Sequence, residues 1–242
     1  MLDRLVRVLG AFDGTKDSLS TATLARRAEV PPATAYRLVA DLVRHGLLSR
    51  DPNGQLRPGL RLWELANRSS PAVDLRQAAL PFMEDVQSVV RQHTQLAILR
   101  DDEVLVIERL SSRGSVVNKA QVAGRMPVHR TSLGMVLLAY SPNHVQESYL
   151  SRHPDAVAAV DPVSFDFRRH LAQIRLRGYA AFDGRVDADT TGIAVPVPGP
   201  QGSAQAALGV VVPLGFENFQ SVVPALMTAA RGIARTLGSG PG

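Results

Sequence analysis

The chain has 242 residues, with 27 Lys and Arg against 22 Asp and Glu for a formal net charge of +5, six His and no Cys. That length, at 45% hydrophobic residues, supplies one large or two ordinary cores. Without Cys there is no disulfide and no thiolate metal site, and no apolar run approaches a membrane span. The charge is uneven. Residues 1–68 carry a net +4 and residues 69–242 a net +1, so the basic excess lies where a phosphate-binding surface would need it. The opening MLDRLVRVLGAF is amphipathic and too polar for a secretory signal, so a cytoplasmic protein is expected.

Leu2, Leu5, Val6, Leu9 and Phe12 form one helical stripe, broken at Asp13-Gly14. Lys16 follows in a loop, placed equally well to reach a phosphate or simply to be solvated. Residues 20–48 then read as two short helices and a tight turn. Ser20 or Thr21 caps the first, and Leu24, Ala25 and Ala28 share its inner face. Glu29-Val30-Pro31-Pro32 makes the break, with Pro32 suited to a first helical turn. Ala35, Leu38, Val39 and Leu42 repeat at the spacing of a buried face, and Gly46 ends the helix. This is the pattern of a helix-turn-helix, whose second helix enters the DNA major groove. Residues 47–50, the turn Asp51-Pro52-Asn53-Gly54 and residues 55–57 add a two-stranded wing. Candidate DNA contacts are Lys16, Arg26, Arg27, Thr34, Tyr36, Arg37, Arg50 and Arg57. Residues 1–58 form the expected winged helix-turn-helix domain and residues 59–71 a linker helix. In the linker, Trp63 is read as a packing anchor between two subunits.

Residues 72–242 form the expected second domain, beginning with a long helix in which Pro81 produces a kink or marks a late start. Residues 94–100 and 104–110 read as a hairpin around Asp101-Asp102-Glu103, a solvated acidic tip to which no metal is assigned. Residues 116–122 have the composition of a further strand. Thr131 caps a helix through Leu137-Leu138-Ala139; helices are also expected over 143–150, 166–177 (stopped by Gly178) and 217–237, with a frayed end. Residues 193–197 and 206–212 read as buried strands. The fold class is α+β, with a central antiparallel sheet.

Residues 2–237 resemble the isocitrate-lyase-regulator (IclR) family of bacterial transcription factors. The resemblance is carried by LARRAEVPPATAYRLVADLVRHGLL and the wing, then by Gly124-Arg125-Met126-Pro127-Val128-His129, Thr131, Gly134 and Leu137-Leu138-Ala139. It continues at Leu171, Ile174-Arg175, Gly178-Tyr179, Ala194 and Pro196. It implies a GAF-like effector domain, and dimers, often paired into tetramers, on palindromic or repeated operators. Two departures stand out. Glu29 occupies a turn position that is usually Gly, and Ala33-Thr34-Ala35-Tyr36-Arg37 replaces a usual Ser-Thr-x-His-Arg. The effector positions implied by the resemblance are Ser132, Leu133 and Gly134 at a helix start, with Phe182 (or adjacent Asp183), Gly192, Gly209 and Val211 on the sheet. Side-chain polarity is largely lost there, so either the effector is larger and less polar, with the glycines making room, or the pocket no longer works. An effector with an apolar body and one anionic group, held by the amides near Ser132, is expected.

Catalysis is not expected. His45, His93, His129, His144, His153 and His170 show no metal-ligand spacing, and there is no nucleophile elbow or phosphate-loop glycine pattern. Asp183, Asp187 and Asp189 read as a solvated loop, some of them at the pocket mouth. No cofactor or metal is expected.

Overall fold

The computed structural model describes residues 1–12, 18–68, 70–154 and 167–238. Lys16 and the Asp13-Gly14 break lie outside the described residues, as do residue 166 and most of the frayed C-terminal tail. The chain forms two compact units, Met1–Val73 and Asp74–Gly242.

The first unit is a winged helix-turn-helix. Helices α1 (Leu2–Gly10), α2 (Thr21–Arg27) and α3 (Pro32–Arg44) precede strands β1 (Leu48–Arg50) and β2 (Leu56–Pro58), and α4 (Leu60–Arg68) follows. Val8, Leu24, Ala35, Leu38, Val39, Leu42, Leu48 and Leu56 make its core. The inward stripe of α1 differs from expectation. Leu5, Val8, Leu9 and Phe12 face the core, while Leu2 and Val6 are exposed. The observed set follows the i, i+3, i+4, i+7 rule more closely.

Two helices of this unit end in the same way. At the end of α3 the amide of Gly46 donates to Val43 O and that of Leu47 to Leu42 O. At the end of α2 the amide of Glu29 donates to Arg26 O and that of Val30 to Ala25 O. Both are Schellman motifs, whose pivot residue must enter the left-handed region. Gly46 does so with φ +71°, and Glu29 with φ +52°. Ser20 caps α2 by accepting the Thr23 amide at 3.1 Å. In the wing turn Asp51 Oδ1 accepts the amides of Asn53 and Gln55, both at 2.9 Å.

The second unit holds most of α5 (Pro71–Val90), then β3 (His93–Arg100), β4 (Glu103–Ser111), β5 (Arg125–Pro127), α6 (Ser132–Ala139) and α7 (Asn143–Arg152). After the undescribed stretch come α8 (Phe167–Arg177), β6 (Ala180–Asp183), β7 (Thr190–Pro198), β8 (Ala204–Pro213) and α9 (Phe219–Gly238). The six strands form one antiparallel sheet in the order β5-β4-β3-β8-β7-β6. The β3–β4 turn uses Asp101 (φ +51°) and Asp102 (φ +64°), the two left-handed positions of a tight hairpin. α5 continues through Pro81 without a late start.

Strand alternation assigns the two faces of the sheet. Gln95 and Ala97, Gly209 and Ala207, Gly192 and Ala194, and Phe182 and Ala180 are cross-strand neighbours on one face. The small residues Ala97, Ala180, Ala194 and Ala207 let α6 lie close, and all eight residues of that helix are buried. The opposite face is covered from α5, where Gln87 accepts from Thr94 and Arg76 is paired with Glu108. α9 lies along β7 and β8.

The expected strand over 116–122 does not form. Its backbone is tied by side chains instead: His93 Nε2 to Val116 O, Gln92 Oε1 to the Val116 amide, and Asn118 Oδ1 to the Ala120 amide. The edge strands β5 and β6 are additional to the expected set.

Candidate nucleic-acid interface and effector cleft

On the first unit, α3 turns Tyr36 and Arg37 outward, with Thr34 half-buried beside them. Asp41, the i+4 partner available to Arg37, is instead bonded to Arg44 at 2.7 Å. Thr34 and Arg37 line a shallow hollow with Asp3, Arg4 and Arg7 of α1. Three guanidinium groups thus share one surface against a single carboxylate, as a phosphate contact requires. Arg4 and Arg7 were missed at the sequence level, although their i, i+3 spacing on a first helix was the available signal.

The other expected contacts divide. Arg26 is exposed on α2. Arg27 is turned inward, donating to Ala11 O at 3.1 Å, where it fastens α2 to the end of α1. Arg50 donates to Gly54 O across the wing at 3.0 Å, and Arg57 lies 3.9 Å from Asp51. Both wing arginines keep exposed side chains.

On the second unit, the start of α6 and the α6-side face of the sheet form a partly open cleft. Of the expected effector residues, Ser132, Leu133, Phe182, Gly192 and Val211 line it. Gly134, Asp183 and Gly209 do not. The Gly134 amide is already bound by the Thr131 hydroxyl that caps α6, at 3.0 Å, and a Cβ there would strike Val128 O. A Cβ on Gly209 would meet Ile193 O at 2.6 Å and Leu133 at 3.1 Å. That glycine permits packing of strand and helix and leaves no room for a ligand. Asp183 accepts from Thr191 Oγ1 at 2.6 Å. Ser132 Oγ donates to Gly192 O at 2.5 Å, so its side chain serves the backbone. The backbone amides of Ser132 and Leu133 have no partner among the described residues, as expected at N1 and N2 of a helix.

The matched sheet positions are apolar as expected, but polar groups reach the cleft from elsewhere: Gln95 on β3 and Thr190 on β7, with Asn118, Lys119, Arg130, Arg185 and Asp187 outside the strands. Lys119 donates to Val186 O at 3.0 Å and lies 3.6 Å from Asp187, linking the two loops. Arg130 donates to Arg185 O at 2.9 Å, and Arg185 to His129 O at 3.3 Å. The Arg185 guanidinium sits 3.6 Å above the Phe182 ring. Among the described residues that line the cleft, three cations stand against one carboxylate. Burial lowers the His129 pKa from its ordinary 6.5, and Arg130, His153 and Arg185 lower it further. His170, stacked on Phe182, is lowered by burial and then by Arg185 and Arg177. Both rings are therefore held toward the neutral form beside the cation cluster. Apolar surface comes from Val117, Met126, Leu133, Phe182, Ile193, Val210 and Val211.

Residues 1–52 match the IclR helix-turn-helix domain, and residues 69–235 match the family described as Bacterial transcriptional regulator IclR C-terminal. The chain belongs to the IclR family. Among solved structures, it is similar to an IclR homolog from Microbacterium hydrocarbonoxydans complexed with 4-hydroxybenzoate, with 43% identity and a TM-score of 0.90. That likeness covers 99% of each chain. Among curated relatives, the Pca regulon regulatory protein of Pseudomonas putida is 27% identical over 98% of this chain and 83% of its own length. The transcriptional regulator XynR of Escherichia coli is 26% identical over 86% and 84%. This IclR-family chain is thus a transcriptional regulator with a DNA-binding unit and an effector-binding unit, and not an enzyme. Among the described residues no helix is long and apolar enough to cross a membrane.

Proposed function

We propose that this regulator binds an aromatic or similarly apolar monocarboxylate in the cleft of its second unit, and that occupancy changes its affinity for a specific operator. The observation that carries the reading is the composition of the cleft: an apolar body beneath Arg130, Arg185 and Lys119, with Asp187 the one carboxylate among the described residues that line it. A single carboxylate satisfies the two free amides at the start of α6, helped by the helix dipole and the adjacent Arg130. The apolar remainder gains about 25 cal/mol per Å2 of surface buried. The bound 4-hydroxybenzoate of the Microbacterium structure supports the same class of ligand. On the DNA side Thr34, Tyr36, Arg37 and Arg26 face the duplex, with Arg50 and Arg57 on the wing. The protein acts as a homo-oligomer in the cytoplasm, on a palindromic or repeated site.

The test is a titration of the full chain with aryl carboxylates, and with glyoxylate or pyruvate, followed by operator binding with and without the ligand found. Aryl carboxylates are expected to bind more tightly and to change operator affinity. A ligand present at ~100 times its dissociation constant should also stabilise the fold by roughly 2.7 kcal/mol. Tighter binding of the small oxo-acids, or an operator affinity indifferent to the ligand, refutes the reading.

A further inference from the structure

Two amide groups at the cleft have work that an aryl carboxylate alone does not supply. Gln95 stands on β3, only 4% exposed, and its Nε2 has no hydrogen-bond partner among the described residues. Asn118, in the loop after β4, has its Nδ2 shut off from solvent and likewise without a partner among the described residues. Both residues line the cleft. The orientation of Asn118 is fixed by its other end: Oδ1 accepts the Ala120 amide at 2.9 Å, which leaves the donor turned away from that loop. A buried amide donor without an acceptor is costly, and native structures leave few of them.

The placement of these donors separates them from the group that binds the anion. Ser132, at the start of α6, is bonded to Gly192 on β7, whereas Gln95 is on β3, with β8 between them. At ~4.8 Å per strand that is about 10 Å of sheet. Lys119, the cation beside Asn118, is occupied by Val186 O and Asp187. A carboxylate held at the start of α6, beside Arg130, therefore leaves the far end of the ligand to the two side-chain amides.

We infer that Gln95 and Asn118 are specificity-determining residues that require the ligand to carry a hydrogen-bond acceptor, such as a hydroxyl, on the end opposite its carboxylate. This rests on the proposed aryl-carboxylate site and narrows it to bifunctional acids. A purely hydrocarbon end in that position would seal both donors away from water with nothing to bond, and so binds poorly. A hydroxyl oxygen accepts from both.

The experiment compares 4-hydroxybenzoate with 4-methylbenzoate, which has nearly the same shape and no acceptor at the far end, by calorimetric titration of the full chain. The hydroxyl compound is expected to bind about 5- to 150-fold more tightly, the range for leaving a buried donor unpaired. Gln95→Met, which keeps the length and removes the amide, should shrink that ratio at least severalfold while 4-methylbenzoate binds as well or better. If Gln95→Met fails to fold, the wild-type ratio alone decides. Equal affinity of the wild type for the two compounds overturns the role of the amides and leaves the aryl-carboxylate site standing. Binding of neither compound overturns both.

Discussion

Glu29 and Gly46 perform the same task in the same unit, and only one of them is suited to it. Both are the pivot of a Schellman motif at positive φ, and both sit between a helix end and a residue packed on the core, Val30 or Leu47. A side chain in the left-handed region costs roughly 1–2 kcal/mol, of which glycine's extra unfolded-state entropy returns about 0.5–1. Glu29→Gly should therefore stabilise the protein by about 0.5–1 kcal/mol, read from the urea midpoint, and Gly46→Ala should move it the other way. A destabilised Glu29→Gly would mean that the exposed carboxylate makes a contribution that outweighs the strain. Arg37 is the complementary case of a residue whose worth lies outside the fold. Its charge makes no ion pair among the described residues, since Asp41 is taken by Arg44. Arg37→Ala should leave the thermal midpoint in place and cost about 1–3 kcal/mol of operator binding, concentrated at one base position if it reads a guanine edge. A loss spread evenly over all sequences, with the salt slope reduced by about one unit, would place it on phosphate instead. No change in either removes it from the interface.

At the scale of elements, the short turn Val128–Arg130 ahead of α6 couples the cleft to pH. The Tyr149 hydroxyl accepts the His129 amide at 3.3 Å and lies 2.9 Å from His129 Nδ1. Burial, then the Arg130, His153 and Arg185 charges, hold the His129 pKa below the unfolded value of 6.5. Between the two pKa values the unfolded chain binds more protons, so stability rises with pH through that window and is lost as pH falls below about 6.5. His170 adds to the loss in the same direction. Denaturant midpoints measured from pH 7.5 downward should fall below pH 6.5. His129→Gln should flatten the fall, and so should a bound carboxylate, because it offsets Arg130 and Arg185. A pH-independent midpoint across that range would contradict the geometry of the turn.

Elements with both a period and a cap were legible in the chain itself. α2, α3 and α6 carry Ser20, Pro32 and Thr131 at their starts, and α3 and α8 end at glycines of positive φ. β5 and β6 were not, because three or four residues are too few to show alternation. Residues 116–122 have strand composition, yet Gln92, His93 and Asn118 bind backbone groups that a strand would need. The cleft was half legible. Ser132, Leu133 and the sheet positions came from local resemblance, whereas Gln95, Asn118, Arg130 and Arg185 are remote in sequence and meet only through the order of the strands.

For the whole molecule, α4 poses the question of what lies against it. None of its nine residues is buried, and Leu60, Trp63 and Leu65 are 70%, 63% and 52% exposed. Leu60 and Trp63 are one helical turn apart, so their side chains form a continuous apolar strip, of the kind expected at an interface. A second copy of this helix would be self-complementary to it about a two-fold axis, and the same axis would set two α3 helices on one face of a duplex. Operator protection by the full chain should then show two related half-sites, separated by about one helical turn (~34 Å) or a multiple of it. Trp63→Asp places a charge in that strip while leaving the core of the first unit intact. It should yield a smaller species in solution and reduce operator affinity, because each winged helix then binds its half-site without the other. Arg37→Ala should weaken binding with the oligomer unchanged, which separates loss of a contact from loss of the partner. A wild-type chain that sediments as a monomer and protects one isolated half-site would rule out the paired arrangement.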